Sequence, residues 1–247
     1  MTTQAVAVVV GVGAERGLGA VLCKRFAAGG HHVIAMGRTA ARLKQVVSAI
    51  HEAGGSAEAW VGDATREEDV TALFAHAMSP GGQRAPADLV VFNAGNNQYI
   101  DFTALTPEQF ENFWRLGCLA GFLVGREVAR HIAPLGRGTM IFTGASASLR
   151  GRPGFAHFAA AKAGLRMLAQ SMAREFGPQG LHVAHVVVDG GIDGQRLRER
   201  VPEMAERLGT EGLLQLEPIA EAYWQLYQQH PSAWTHEIDL RPFKENF

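Results

Sequence analysis

Residues 6–19 read VAVVVGVGAERGLG, and this stretch decides the fold. Its first five residues are all apolar, a run too short to cross a membrane and suited to a strand buried on both faces. Glycines 11, 13, 17 and 19 follow at once, and Leu22 and Phe26 then fall at helical spacing. A strand, a glycine turn and a helix start in that order turn unpaired amides and the positive end of a helix dipole toward an anion. Loop glycines are ordinary in isolation; their place between a strand and a helix makes this turn a pyrophosphate cradle. Gly13, Arg16, Gly17, Leu18 and Gly19 are its candidate contacts.

Working outward, short runs rich in valine and isoleucine alternate with longer stretches of helical period, the pattern of βαβ units and a parallel sheet. Strands are predicted at 5–10, 32–36, 57–61, 89–92, 139–143, 182–188 and 235–240. Helices are predicted at 18–28, 40–53, 66–78, 107–132 and 155–176, three of them closed by Gly29, Gly54 and Gly177. Residues 79–86 are rich in glycine and proline and read as a loop. No repeat or linker divides the 247 residues. The expectation is one α/β domain over 1–247, a doubly wound parallel sheet of Rossmann type with helices on both faces.

Composition narrows the partners. Lysine plus arginine number 23 against 24 acidic residues, so no strong field argues for nucleic acid or a membrane surface, and a small molecule is the expected partner. Cys23 and Cys118 are too few for a disulfide framework and not spaced as a metal knuckle. The paired histidines His31 and His32, and His182 with His185, lack a supporting carboxylate or cysteine cluster, so no metal is expected. The first residues show neither a basic leader nor a long apolar span, and the reading is a cytoplasmic protein.

The second strand ends at Met36, Gly37 and Arg38, where a dinucleotide fold that prefers NAD presents an acid to the ribose hydroxyls. Here no acid stands there. Arg38, assisted by Arg16, suits the 2′-phosphate of NADP(H) instead, although either arginine alone reads equally as a solvated loop residue.

Gly13, Gly17 and Gly19 match the T-G-x-x-x-G-x-G turn of the short-chain dehydrogenases, with Val12 in place of the usual threonine. Asp63, followed by Ala64, resembles that family's adenine-contacting aspartate, and Asn93, Ala94 and Gly95 match its N-A-G motif. These likenesses cover most of the chain in order. The resemblance implies carbonyl and alcohol redox chemistry on a nicotinamide cofactor, dimers or tetramers, and a substrate lid here placed near 190–215.

The family's active helix carries Y-x-x-x-K, with a serine thirteen residues before the tyrosine and an asparagine on the preceding helix. Here the stretch reads Phe158, Ala159, Ala160, Ala161, Lys162. The serine position falls on Ala145 and, counted back from Gly121, the asparagine position falls on Cys118. Lys162 alone survives, its inward face marked by Phe155, Phe158 and Leu165, and the resemblance gives it the nicotinamide ribose. After the sixth strand the family's P-G becomes Asp189, Gly190, with Ile192 near the expected carboxamide.

Two functions stay open: an NADP(H)-dependent oxidoreductase with a non-standard proton donor, and a non-catalytic NADP(H)-binding or assembly protein. Tyr99 and Ser146 are the candidate replacement donors. Tyr99 reads equally as an aromatic packed over substrate, and Ser146 and Ser148 as loop serines satisfying backbone groups. His157 lies about 100° around the helix from Phe158 and reads as a surface or interface histidine. Cys118 reads as a small buried hydrophobe. Residues 195–208 alternate charge on one expected helix with a solvated face, and the aromatic tail 224–247 reads as a subunit interface.

Overall fold

The computed structural model describes residues 3–79 and 81–244; residue 80 of the 79–86 loop and the last three residues of the aromatic tail lie outside the described residues. Seven parallel strands form one sheet in the order β3-β2-β1-β4-β5-β6-β7. They are β1 (Val6–Val10), β2 (His32–Gly37), β3 (Ser56–Val61), β4 (Leu89–Phe92), β5 (Thr139–Thr143), β6 (His182–Val188) and β7 (Glu237–Leu240). The order reverses between β1 and β4, and in open α/β sheets ligands bind outside the carboxyl ends of the strands at that point.

Period-two alternation sends the valines of one strand to two cores. Val6, Val8 and Val10 pack with Phe92, Phe142 and Leu165 on one face, while Ala7 and Val9 pack with Leu22, Phe26 and Ile219 on the other. The first face is covered by α3 (Glu67–Ala77), α5 (Ala120–His131) and α6 (Ala156–Phe176), the second by α1 (Leu18–Ala28), α2 (Ala40–Glu52) and α9 (Leu216–Tyr227).

Three features depart from the sequence reading. The long helix expected over 107–132 is interrupted. Thr106 and Gln109 close a capping box on α4 (Pro107–Trp114), and a π-helical turn over Arg115–Leu119 then leads into α5. Hydrophobic period cannot show such a turn, because the apolar face continues through it.

The expected single helix over 195–208 is two, α7 (Gln195–Arg200) and α8 (Pro202–Leu208), because Pro202 disfavours helical geometry at Val201.

Part of the aromatic tail, and Tyr223 just before it, packs back onto the domain. Tyr223 is fully buried and its hydroxyl meets Thr143 Oγ1 at 2.9 Å. Trp224 lies against Gly29, Phe26 and His31, and Trp234 stacks on His182. These rings join α9 and the following loop to α1 and the sheet, while Phe243 of the same tail is exposed. Leu216, Ile219, Ala220, Tyr223 and Leu226 carry the i, i+3, i+4, i+7 signal of α9, which the sequence reading missed.

Candidate active site

The glycine turn is held in place before any ligand arrives. Gly11 and Val12 donate to Met36 O at 3.0 and 2.9 Å, and Asn93 Nδ2 donates to Gly11 O at 3.2 Å. Gly11 sits at φ +100°, where a side chain would be strained, and a Cβ there would stand 2.5 Å from Ala94 N. Asn93 therefore braces the turn with its side chain. Gly13 faces open space, and no side chain caps the α1 N-terminus at Gly17. Leu18 and Ala94 are buried in the walls behind it.

Beside the turn lies a cavity of about 310 Å³ lined by Arg38, Asp63, Thr65 and Asn96, with Asn112 and Leu116 opposite. Burial opposes ionisation of Asp63, but two hydrogen bonds from Thr65 and the charge of Arg38 outweigh it and hold the carboxyl below its usual pKa. Arg38 and Arg16 are exposed, Ala64 is buried, and Arg16 O accepts from Gln195 N at 2.8 Å, which ties α7 to the turn. The uncapped amides, open Gly13 and exposed Arg38 suit a phosphate-bearing dinucleotide.

Lys162 is 4 % exposed and donates to Thr143 O at 2.7 Å. Gly95 lies against it: a Cβ there would be 3.3 Å from Nζ. Burial pulls the ammonium down to about 8, opposed by Cys118. The same burial raises the Cys118 thiol, so it is no thiolate despite the lysine beside it. Phe158, one turn before Lys162, is half-buried.

Tyr99 is 61 % exposed. Its hydroxyl donates to Asp101 Oδ1 at 2.8 Å, which raises its pKa, and its ring packs against Phe155 and Gly154. Ser146, half-exposed, is bonded to no base among the described residues. His157 corrects the sequence reading. It is fully buried against Phe113, ring centroids 4.2 Å apart, because the α4 face covers the side of α6 that the sequence left open to solvent.

Sequence reasoning missed the support behind Ala145. Ser148 Oγ accepts from Ala145 N at 3.1 Å and lies 3.4 Å from His185 Nε2. His185 is pushed down to about 4, first by burial, so its neutral ring donates from Nδ1 to Glu237 Oε2 at 2.9 Å. Arg166 clamps that carboxylate through two bonds of 2.7 Å. Ser148 satisfies a backbone group as expected; its other partner, His185, stands 37 residues away in sequence and left no local signal.

Asp189, in place of the family proline, is 1 % exposed, and Arg150 donates to both its oxygens at 3.0 and 2.9 Å, with Arg241 3.6 Å away. Its charge is thus neutralised within the protein. Arg150→Met should destabilise the fold by about 2–3 kcal/mol, the lower end for a broken buried pair because Arg150 is one-third exposed; an unchanged denaturation midpoint would contradict this. Ile192 bridges Leu214 and so anchors the loop.

A family model described as short chain dehydrogenase matches residues 6–205. The chain belongs to the short-chain dehydrogenase family. Among curated relatives, this chain is similar to 3beta-hydroxysteroid dehydrogenase 1 of Eggerthella lenta, 31 % identical over 83 % of this chain and 78 % of that protein. Among solved structures, it is similar to a short-chain dehydrogenase from Rhodopseudomonas palustris, 40 % identical over 97 % of this chain and 99 % of that one, TM-score 0.82. A metagenomic short-chain oxidoreductase in complex with NADP shares the fold at 22 % identity over 99 % of each chain, TM-score 0.80. Among the described residues, the chain has no helix long and apolar enough to cross a membrane and no cluster of three metal-ligating side chains.

Proposed function

We propose that this short-chain dehydrogenase is an NADP(H)-dependent oxidoreductase for a small carbonyl or alcohol substrate in which Lys162 takes over the proton transfer. The single observation that carries this reading is the buried Lys162 ammonium, lowered to about 8 and placed against Gly95 of the N-A-G turn. When bound, the nicotinamide supplies or accepts the hydride. One Lys162 proton is held by Thr143 O, which leaves two donors for ribose hydroxyls or the carbonyl oxygen. An acid whose pKa lies near the working pH transfers its proton efficiently in either direction. Tyr99 and Ser146 are weaker candidates: the first is held by Asp101 and the second lacks a base.

Arg38 supports NADP(H) over NAD(H); neighbours of the same fold carry NADP in one case and NADH in another, so the preference rests on Arg38. Arg38→Ala should weaken NADPH binding about tenfold or more, the worth of a charge-assisted hydrogen bond, and leave NADH binding unchanged. Fluorescence titration of both cofactors checks this, and a wild-type preference for NADH would overturn it.

A second reading is favoured by Phe158, Ala145 and Cys118, which remove three of the four side chains used by the family: a cofactor-binding protein without turnover. NADPH consumption over a panel of aldehydes, ketones and diketones separates the two. Tight NADPH binding with no turnover on the panel would select the second.

A further inference from the structure

Helix α7 carries arginines at 196, 198 and 200, and they are not equivalent. Arg198 grips Asp193 through two bonds of 2.6 and 2.9 Å. Arg196 instead reaches across the cleft, about a hundred residues back in sequence, and donates to Gly95 O at 3.2 Å, to Asn96 Oδ1, and to Asn97 O and Oδ1 at 3.3 Å. Arg200, one turn on, points to the same Asn96 Oδ1 at 3.4 Å. Two guanidinium groups thus converge on neutral amide and carbonyl oxygens.

Neither has a carboxylate within ion-pair distance among the described residues. The acids around them are taken: Asp193 by Arg198, Asp189 by Arg150, and Glu199 by Gln195 Nε2 at 2.6 Å. Desolvation first and the charge of Arg200 second lower the Arg196 pKa, so the two guanidinium groups are close enough to repel. A carboxylate outcompetes a neutral amide for such a pair, because ionised acceptors make hydrogen bonds about twice as strong and fit the guanidinium fork. The location is informative as well, since Gly95 touches Arg196 with its carbonyl oxygen and lies against Lys162 at its Cα. An anion exchanged for Asn96 Oδ1 would sit one residue along the chain from the glycine against which Lys162 lies.

We propose that Arg196 and Arg200 form an oxyanion-binding pair that selects a substrate carrying a carboxylate. This rests on the oxidoreductase reading for the word substrate; the pair itself does not. The phosphates of the cofactor offer the same oxyanion chemistry, so the test keeps the two sources apart.

Malonate and its dimethyl ester are titrated by calorimetry into the cofactor-free full chain, as wild type, Arg196→Gln, Arg200→Gln and the double variant. Both arginines are solvent-exposed, and thermal melts verify that the variants fold. The wild type should bind malonate at least about tenfold more tightly than the ester, and the double variant should lose that margin. Asn96→Ala, which removes the oxygen both arginines now hold, should tighten malonate binding. In a second arm NADPH is titrated into the same proteins, and the double variant should bind it within about twofold of wild type.

Equal binding of malonate and ester, no malonate binding, or malonate binding unchanged in the double variant overturns the pair. A tenfold loss of NADPH affinity in the double variant assigns the arginines to the cofactor and overturns the substrate role. If the wild type fails to bind NADPH at all, the cofactor reading falls, while the calorimetric arm still decides whether the pair holds an oxyanion.

Discussion

Phe158→Tyr combined with Ala145→Ser is expected to raise kcat/KM for NADPH-dependent carbonyl reduction by about 10²-fold or more, the worth of a positioned general acid. Phe158 lies four residues before Lys162, on the same face of α6, so a new phenol would sit one turn from a buried ammonium. A neighbouring positive charge favours phenolate and lowers the phenol pKa toward the working range. Ala145 follows β5 at the strand's carboxyl end, and Ser148 holds its amide, so a hydroxyl placed there inherits a braced backbone. Each change adds one oxygen to a half-buried side chain, a small perturbation of packing. If the rate over a panel of ketones and aldehydes stays flat while NADPH still binds, the cleft no longer aligns a carbonyl with the cofactor, and the binding-protein reading prevails.

The opposite change, Lys162→Met, should cost about 10²-fold or more in reduction rate and yet leave the protein no less stable. A fall in pKa from 10.5 to about 8 corresponds to roughly 3 kcal/mol spent on keeping the buried ammonium charged near neutral pH. Methionine removes that cost at similar volume, against about 1 kcal/mol for the Thr143 carbonyl left without its donor. The sign of the pH dependence follows from the lowered pKa. Between about pH 8 and 10.5 the unfolded chain holds the Lys162 proton and the folded chain has released it. In the wild type this residue makes stability rise with pH through that window, and in the methionine variant that rise should vanish. The reduction rate of the wild type should fall as pH passes about 8, where the acid is lost. Thermal melts and rate profiles from pH 6 to 10 measure both. A methionine variant that unfolds more easily and keeps its rate would show Lys162 to be a packing residue only.

Much of this architecture is legible in the chain because its strands are buried on both faces and read as uninterrupted apolar runs. Residues 89–92, 139–143 and 182–188 are found in the sequence with the bounds they have in the structure. The glycine turn is equally legible, since close backbone approach leaves few alternatives at Gly11 and Gly19. What escaped is what depends on partners distant in sequence. The burial of His157 needs Phe113, the orientation of the His185 ring needs Glu237, and the inward reach of Arg196 needs Gly95. An alternating charge pattern says that a helix is polar, and it cannot say which of three arginines turns back over the cleft.

The π-turn at Arg115–Leu119 sets a phase. A turn wound with i to i+5 bonds holds one residue more than regular winding, so α4 and α5 are offset by about 100° from the face a continuous α-helix would present. That offset aims Gly117, Gly121 and Gly125 together at Ala161, Leu165 and Met172 of α6. Deleting a single residue inside the turn would remove the extra residue and its offset together, so the winding should run on regularly with Val124 and Val128 still in the core, whereas inserting one should rotate α5 by a further turn of about 100° and carry them out of it. The segment works as a vernier, able to give up its one extra residue but not to take a side chain at Gly117, where a Cβ would stand 2.9 Å from that of Ala161.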